Sequence, residues 1–400
     1  MKQKRKDSFI YLFFLIAIIL VGVPEDVCAQ RERVVLQSSN LDIGLLSDAN
    51  VTYVIKSDCD LKGKTLKLKV GTIIELDEGS IQNGILHLSA DCQLRGIGSQ
   101  RNRCKNIELR VNGKNICVER IAISNDSGTA MRSFSDCSNL SVVDCQIISS
   151  TDNAVKLVAD NINSVIEGVR FENCDFYFRR MGIEIQNHGN NSCRFNGLTI
   201  SGCSFKMMPS PRYGYAISLS GYGRNVIISS NSIQETTVGV EIVGFSDVEI
   251  KDNIMQDIAG KAIVASNERK MSNITVTRNK ILCPKAKLHL VNTNNLSICN
   301  NELRLLCVEL GGCSRSLVSD NTVYSYGHYA IMIDGTNKES RNNRVQNNTI
   351  EQLGDNWAVF RCYGKNATKN KFIKNKIQRA NSKGVLYDQI NGASKNVLKK

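Results

Sequence analysis

The stretch Val248-Glu249-Ile250-Lys251-Asp252-Asn253-Ile254-Met255 decides how this chain folds. Two apolar residues alternate with polar ones, an Asn follows, and one residue later the apolar face resumes. The same phrase recurs as Val226-Ile227-Ile228-Ser229-Ser230-Asn231-Ser232-Ile233 and as Ile274-Thr275-Val276-Thr277-Arg278-Asn279-Lys280-Ile281. The Asn returns at Asn301, Asn321, Asn348 and Asn375, and Cys145, Cys174 and Cys203 take its place upstream. From Cys145 to Asn375 the marker steps by 29, 29, 28, 22, 26, 22, 20, 27 and 27 residues. A period of this size marks a solenoid. Alternation at period two makes the repeating element a strand.

A second phrase follows each marker and reads small–apolar–x–apolar: Ala154-Val155-Lys156-Leu157, Gly182-Ile183-Glu184-Ile185, Ala216-Ile217-Ser218-Leu219 and Gly239-Val240-Glu241-Ile242. Each rung therefore contains at least two strands separated by a turn, and like positions stack into columns. The marker Asn residues point inward, where a stacked amide bonds its neighbours and the turn backbone. They are structural. Shorter strands begin at Val51, and the unrepetitive segment 30–50 is expected to cap the open N-terminal edge.

The leader 1–29 reads as a secretory signal peptide. Lys2, Lys4, Arg5 and Lys6 precede an apolar run from Phe9 to Val23, and Val27-Cys28-Ala29 offers a cleavage site before Gln30. The run is too short to span a membrane, and no second run of spanning length follows. The mature chain is expected to be secreted, periplasmic or at the cell surface. The net charge of +13 is concentrated at the end: residues 365–400 hold ten Lys or Arg against Asp388. A basic chain end is ordinarily a solvated terminus. No nucleic-acid module, phosphate loop or nucleophile elbow accompanies it, so nucleic acid is not an expected partner. Cys145, Cys174 and Cys203 read as core packing, whereas Cys59, Cys92, Cys104 and Cys193 read as turn cysteines suited to disulfides. Spacing gives no metal motif.

The two-phrase rung with its stacked Asn resembles the right-handed parallel β-helix of the pectate-lyase-like superfamily, over roughly residues 50–390. The right hand also follows from the general preference of parallel crossovers. The expected fold is all-β: a single-stranded solenoid of about a dozen rungs over 51–400, ending in the basic segment, and a monomer. The resemblance implies a polysaccharide partner and a lyase or glycoside hydrolase. It allows a calcium cofactor, for which no motif is present. A non-catalytic carbohydrate-binding or surface β-helix is the alternative. Thr151-Asp152-Asn153-Ala154-Val155 resembles the Asp-Asp-Cys-Ile-Ala segment of polygalacturonases, but Asn153 replaces the second Asp. That family's Gly-His-Gly and Arg-Ile-Lys segments are absent.

Chemistry is expected on the outward column of the second phrase: Lys156, Glu184, Ser218, Glu241, Val264, His289, Glu309, Met332, Phe360. The longest turns flank its polar end, at Tyr177 to Met181, Gln186 to Asn196 and Lys206 to Tyr215. β-Elimination needs a cation for the uronate carboxylate and a base for the adjacent proton. Arg180 or Arg212 supplies the first; Lys156, His188 or Tyr213 supplies the second. Glu184 beside Lys156 also permits a plain salt bridge. Hydrolysis needs two carboxylates, and Glu184 and Glu241 stand two rungs apart. Gln186 and Tyr215 are placed for substrate contact. A second cluster, Tyr326, His328 and Trp357, offers aromatic faces to sugar rings or packs beneath a loop.

Overall fold

A computed structural model of the chain describes residues 31–36, 51–98, 101–160, 164–187, 194–209, 213–265, 270–354, 357–379 and 384–399. The leader, most of the expected cap, Cys193, His188 and Arg212 lie outside the described residues. Thirty-nine strands join in one continuous parallel sheet that winds through about 13 turns, and no helix occurs among the described residues.

Each full turn crosses three faces. On the first sheet Val248–Lys251 lies between Tyr215–Ser229 and Ile274–Thr277. On the second, Ile254–Gln256 lies between Ser232–Gln234 and Lys280–Val291. On the third, Val238–Phe245 lies between Tyr215–Ser229 and Lys261–Ala265. The inward apolar residues of the opening phrase, Val248, Ile250 and Met255, are buried, and they join a single core that runs from Leu36 to Phe372, while Ile254 faces out. The second phrase starts with a small residue because the corner before it is tight. A Cβ on Gly239 would sit 2.4 Å from the Ala262 carbonyl oxygen, and one on Gly182 equally close to that of Ala216. Glu32–Leu36 pairs in register with Val51–Ile55 and adds an outermost strand to the first sheet.

The marker occupies the corner between the first and second sheets. The residue before it takes a left-handed conformation, with φ between 52° and 59° at Ser230, Asp252, Arg278, Asn300, Asp320, Asn347 and Lys374. That sharp turn exposes backbone groups that the Asn side chain satisfies. Asn253 Nδ2 donates to the carbonyls of Ile228 and Lys251 and to Asn279 Oδ1, each at 2.9 Å. The same relation links Asn231 through to Asn375. A second amide ladder, Asn343–Asn370–Asn396, bonds at 2.9 Å per step on another corner. Upstream, the thiols of Cys145, Cys174 and Cys203 hydrogen-bond to backbone carbonyls in the same slot.

Three sequence expectations change. Cys59, Cys92 and Cys104 are buried free thiols that project into the core and bridge nothing. Asp175–Phe178 is strand, and Phe178 is fully buried, so the expected turn at Tyr177 to Met181 shrinks to Arg179 and Arg180. Phe360 pairs with Ile331 and points inward, while Arg361 pairs with Met332 and takes the outward place. The apolar run Ala358-Val359-Phe360 lets the phrase align in either of two registers, and burial of the Phe ring selects the other one.

Candidate functional site

Strand register extends the outward column of the third sheet in both directions. It runs Lys67, His87, Arg110, Arg132, Lys156, Glu184, Ser218, Glu241, Val264, His289, Glu309, Met332, Arg361, Asp388. Successive members are about 4.8 Å apart, the spacing of paired strands. Five basic residues thus stand on consecutive rungs and end against two acidic ones. The upstream four escaped the sequence reading because the early rungs look narrow. Continuing the repeat through Arg132, Arg110, His87 and Lys67 would have found them.

Their charge is only partly neutralised. Glu108 lies 2.6 Å from Arg110 Nε and 3.4 Å from Arg132 Nε. The His87 imidazole is held below its ordinary pKa, first by burial and then by Lys67 and Arg110 on either side. At neutral pH it is an uncharged link between cations.

At the middle of the column Lys156 Nζ lies 3.0 Å from Glu184 Oε2, and buried Asn153 donates to the same oxygen at 2.6 Å. Asn153 Oδ1 is buried without a partner among the described residues. On the far side of Ser218, whose hydroxyl donates to Glu241 Oε2 at 2.7 Å, stands the second carboxylate. Burial pushes the Tyr215 phenol up, and Glu241 and Tyr213 add to the effect. The site therefore assembles Lys156, Glu184, Glu241, Tyr215 and the exposed Tyr213. Glu184 and Glu241 are separated by two strand steps, about 9.6 Å.

The turns supply the edges. Arg180 Nη1 lies 3.7 Å from Asp152 Oδ1, and Thr129 donates to the other oxygen of Asp152 at 2.9 Å. Gln186 donates to Asp160 Oδ2 at 3.2 Å. Among the described residues no group of His, Cys, Asp or Glu side chains is placed to hold a metal ion.

Tyr326, His328 and Trp357 lie several rungs further along the same side and are not part of this group. The His328 and Trp357 rings stack at 4.4 Å with 9° between planes. Arg361 lies under Trp357 and Tyr329, with its Cζ 5.2 and 5.8 Å from their ring centroids. Asp388 fixes it through an Nη2–Oδ2 contact of 2.8 Å. Trp357 remains 58% exposed.

Residues 167–303 match the family model of the right handed beta helix region. The chain is a right-handed parallel β-helix. No curated protein matches it. Among solved structures the β-helix is similar to the DFA-IIIase of Arthrobacter chlorophenolicus without its lid, with 15% identity over 79% of this chain and 84% of that one and a TM-score of 0.49. It is also similar to the A-module of an Azotobacter vinelandii mannuronan C-5 epimerase, with 11% identity over 87% and 90% of the two chains and a TM-score of 0.42. The tailspike of the E. coli bacteriophage HK620 gives 10% identity over 87% and 73%, with a TM-score of 0.45. At such identities the activity of each remains a property of that protein.

Proposed function

We propose that the β-helix is exported, works as a monomer, holds an acidic polysaccharide along its third sheet and hydrolyses it between Glu184 and Glu241. The observation that carries this reading is the unbroken basic run from Lys67 to Lys156, which leads into two carboxylates on either side of Ser218. Four cations spaced along one column, with the His87 imidazole between them, suit a polymer with repeated charge. The strand positions of the two carboxylates stand about 9.6 Å apart, at the upper edge of the ~6.5–9.5 Å between carboxyl groups that leaves an inverting pair room for a water beside the sugar.

Glu184, positioned by Lys156 and Asn153, takes a proton from that water as the water's oxygen bonds the anomeric carbon. Glu241 gives a proton to the departing glycosidic oxygen as the old bond breaks. Tyr213 and Tyr215 stand beside Glu241, and Arg180 belongs to a turn on the rim; Arg212 and His188 lie outside the described residues. Elimination is the weaker chemistry here, because Lys156 is engaged by Glu184 and offers no free amine.

Binding without cleavage is the second reading, favoured by one observation: both carboxylates are already occupied by protein donors. Incubation with a panel of uronate polymers separates the cases. Reducing ends that appear with wild type and vanish with Glu241→Gln support hydrolysis. Absorbance of a new unsaturated bond points to a lyase, and retention of polymer with neither signal points to the binding module. Failure to retain any acidic polymer removes the reading altogether.

A further inference from the structure

A separate cavity lies at the N-terminal end of the solenoid, at the corner between the first and second sheets. Its volume is about 590 Å³. Asp58, Asp77 and Glu78 line it from the corner turns, Arg101 from just before the strand Asn102–Val111, and Arg103 and Lys105 from the start of that strand. None of these residues belongs to the third-sheet column.

The internal pairings show which groups are left for a ligand. Lys56 Nζ lies 3.4 Å from Asp77 Oδ2. Ser80 donates to Asp58 Oδ1 at 2.6 Å. Arg101 is paired with Asp175, which lies three strand steps along the second sheet from Arg103. Its side chain is therefore committed to a wall. The side chains of Arg103 and Lys105 make neither an ion pair nor a hydrogen bond among the described residues. They are two apart on one strand, so both project from the same side of the sheet. The neighbour of Arg103 on the next rung is Ala122, which leaves open space above the sheet beside it.

The carboxylate side of the cavity is preformed. A Cβ on Gly79 would sit 2.7 Å from both the nitrogen and the oxygen of Ser57, so the turn carrying Asp77 and Glu78 is packed directly on the turn before it. Glu78 itself holds a left-handed conformation at φ 69°.

Two free cations beside a wall of carboxylates define the ligand's chemistry. The cations need one fixed negative charge. The carboxylates accept hydrogen bonds and would repel a second charge, so the rest of the ligand must be neutral and rich in hydroxyl donors. The volume falls within the ~300–1,000 Å³ of small-molecule sites and far exceeds what a bare ion fills. We propose that this cavity is a second carbohydrate site, distinct from the third-sheet column, that binds a short sugar bearing a single negative charge. Arg103 and Lys105 take the charge; Asp58, Asp77 and Glu78 take the hydroxyls.

The test is calorimetric titration of the full chain with three probes: a galacturonic acid monosaccharide, its neutral galactose counterpart, and inorganic sulfate. Wild type is expected to bind the acid sugar at least tenfold more tightly than either other probe. Arg103→Ala with Lys105→Ala should lose at least tenfold in affinity with an unchanged melting curve, since both side chains are exposed. Asp77→Asn should weaken the acid sugar and leave sulfate unaffected or tighter. The Arg103→Ala, Lys105→Ala variant should act on uronate polymers as wild type does, so failure of the cleavage reading and failure of this one are read separately. Equal binding of the acid sugar by the double variant, sulfate as tight as the sugar, no binding by wild type, or a double variant altered in its action on uronate polymers each overturns the proposal.

Discussion

Lys156 Nζ lies 3.0 Å from Glu184 Oε2, one rung away in the same outward column. Glu184 is 8% exposed, so this contact and the Asn153 amide replace the water its carboxylate has lost. Lys156→Met should leave that carboxylate with one donor and destabilise the fold by about 1–3 kcal/mol, the cost of an undercompensated buried acceptor. Adding Glu184→Gln should recover most of the loss, because the charge is then gone. Urea unfolding of the single and double variants measures both, and a double variant as unstable as the single one would show that packing, not charge, is at stake.

The basic run gives a pH dependence. Burial, Lys67 and Arg110 hold the free His87 below its ordinary value of 6.5. A bound polyanion offsets the two cations and favours the imidazolium, so binding takes up a proton. Affinity for an acidic polymer should therefore rise as pH falls below 6.5, by about two- to fivefold, as expected of one exposed charge contact. His87→Gln should flatten that rise and leave binding at pH 8 unchanged. Without ligand the sign reverses. The unfolded chain takes up the proton first, so stability falls as pH drops through the same window. Isothermal binding curves at several pH values, beside thermal melts, check both limbs.

The fold was legible because one physical constraint repeats. Every left-handed corner needs its backbone satisfied, and an inward Asn does this without breaking the apolar columns. The period at Asn231, Asn253 and Asn279 is therefore set by local chemistry. The second ladder at Asn343, Asn370 and Asn396 follows the same logic, but it has only three members and interleaves with the first ladder in sequence. The site was legible only in part. Glu184, Ser218 and Glu241 share a column because β-strand alternation fixes which side chains point out. What sequence left ambiguous was register where apolar residues run together. At Ala358-Val359-Phe360 alternation is lost, and the outward place went to Phe360 instead of Arg361. The cysteines misled for a related reason: Cys59, Cys92 and Cys104 lie near turn-forming residues, yet each side chain falls on the inward side.

Asn253 is the point at which the ladder can be cut cleanly. It accepts from both the backbone nitrogen and Nδ2 of Asn231, each at 2.9 Å, and donates to Asn279. Asn253→Leu has similar volume but removes the acceptor, leaving the buried backbone N–H of Asn231 unpaired and its Nδ2 with only the Ile200 carbonyl. The expected loss is about 1–3 kcal/mol. Hydrogen exchange should rise most at residues 231 and 279, the adjoining rungs, because each rung is stabilised chiefly by its neighbours. An unchanged melt would remove the structural account of the ladder.

Arg361 offers a spectroscopic test at the other end of the column. It is 9% exposed, gripped by Asp388, and lies under the chain's single Trp. Two contributions act together: cation–π contact with Trp357 and Tyr329, and charge-assisted hydrogen bonds to Asp388. Arg361→Ala should strip both, lower stability by about 1–3 kcal/mol and free the indole from one of its supports. The Trp357 emission should then move to longer wavelength, since an exposed ring that loses a packing partner sees more water. Asp388→Asn keeps a hydrogen-bond acceptor while removing the charge, and should give a smaller shift in the same direction. Because Trp357 sits on the same face as the basic run, an acidic polymer long enough to reach it should move its emission to shorter wavelength in wild type. A fragment covering only the Lys67 to Glu241 end should not. Equal spectral responses to the long and short ligands would place the polymer elsewhere than along the third sheet.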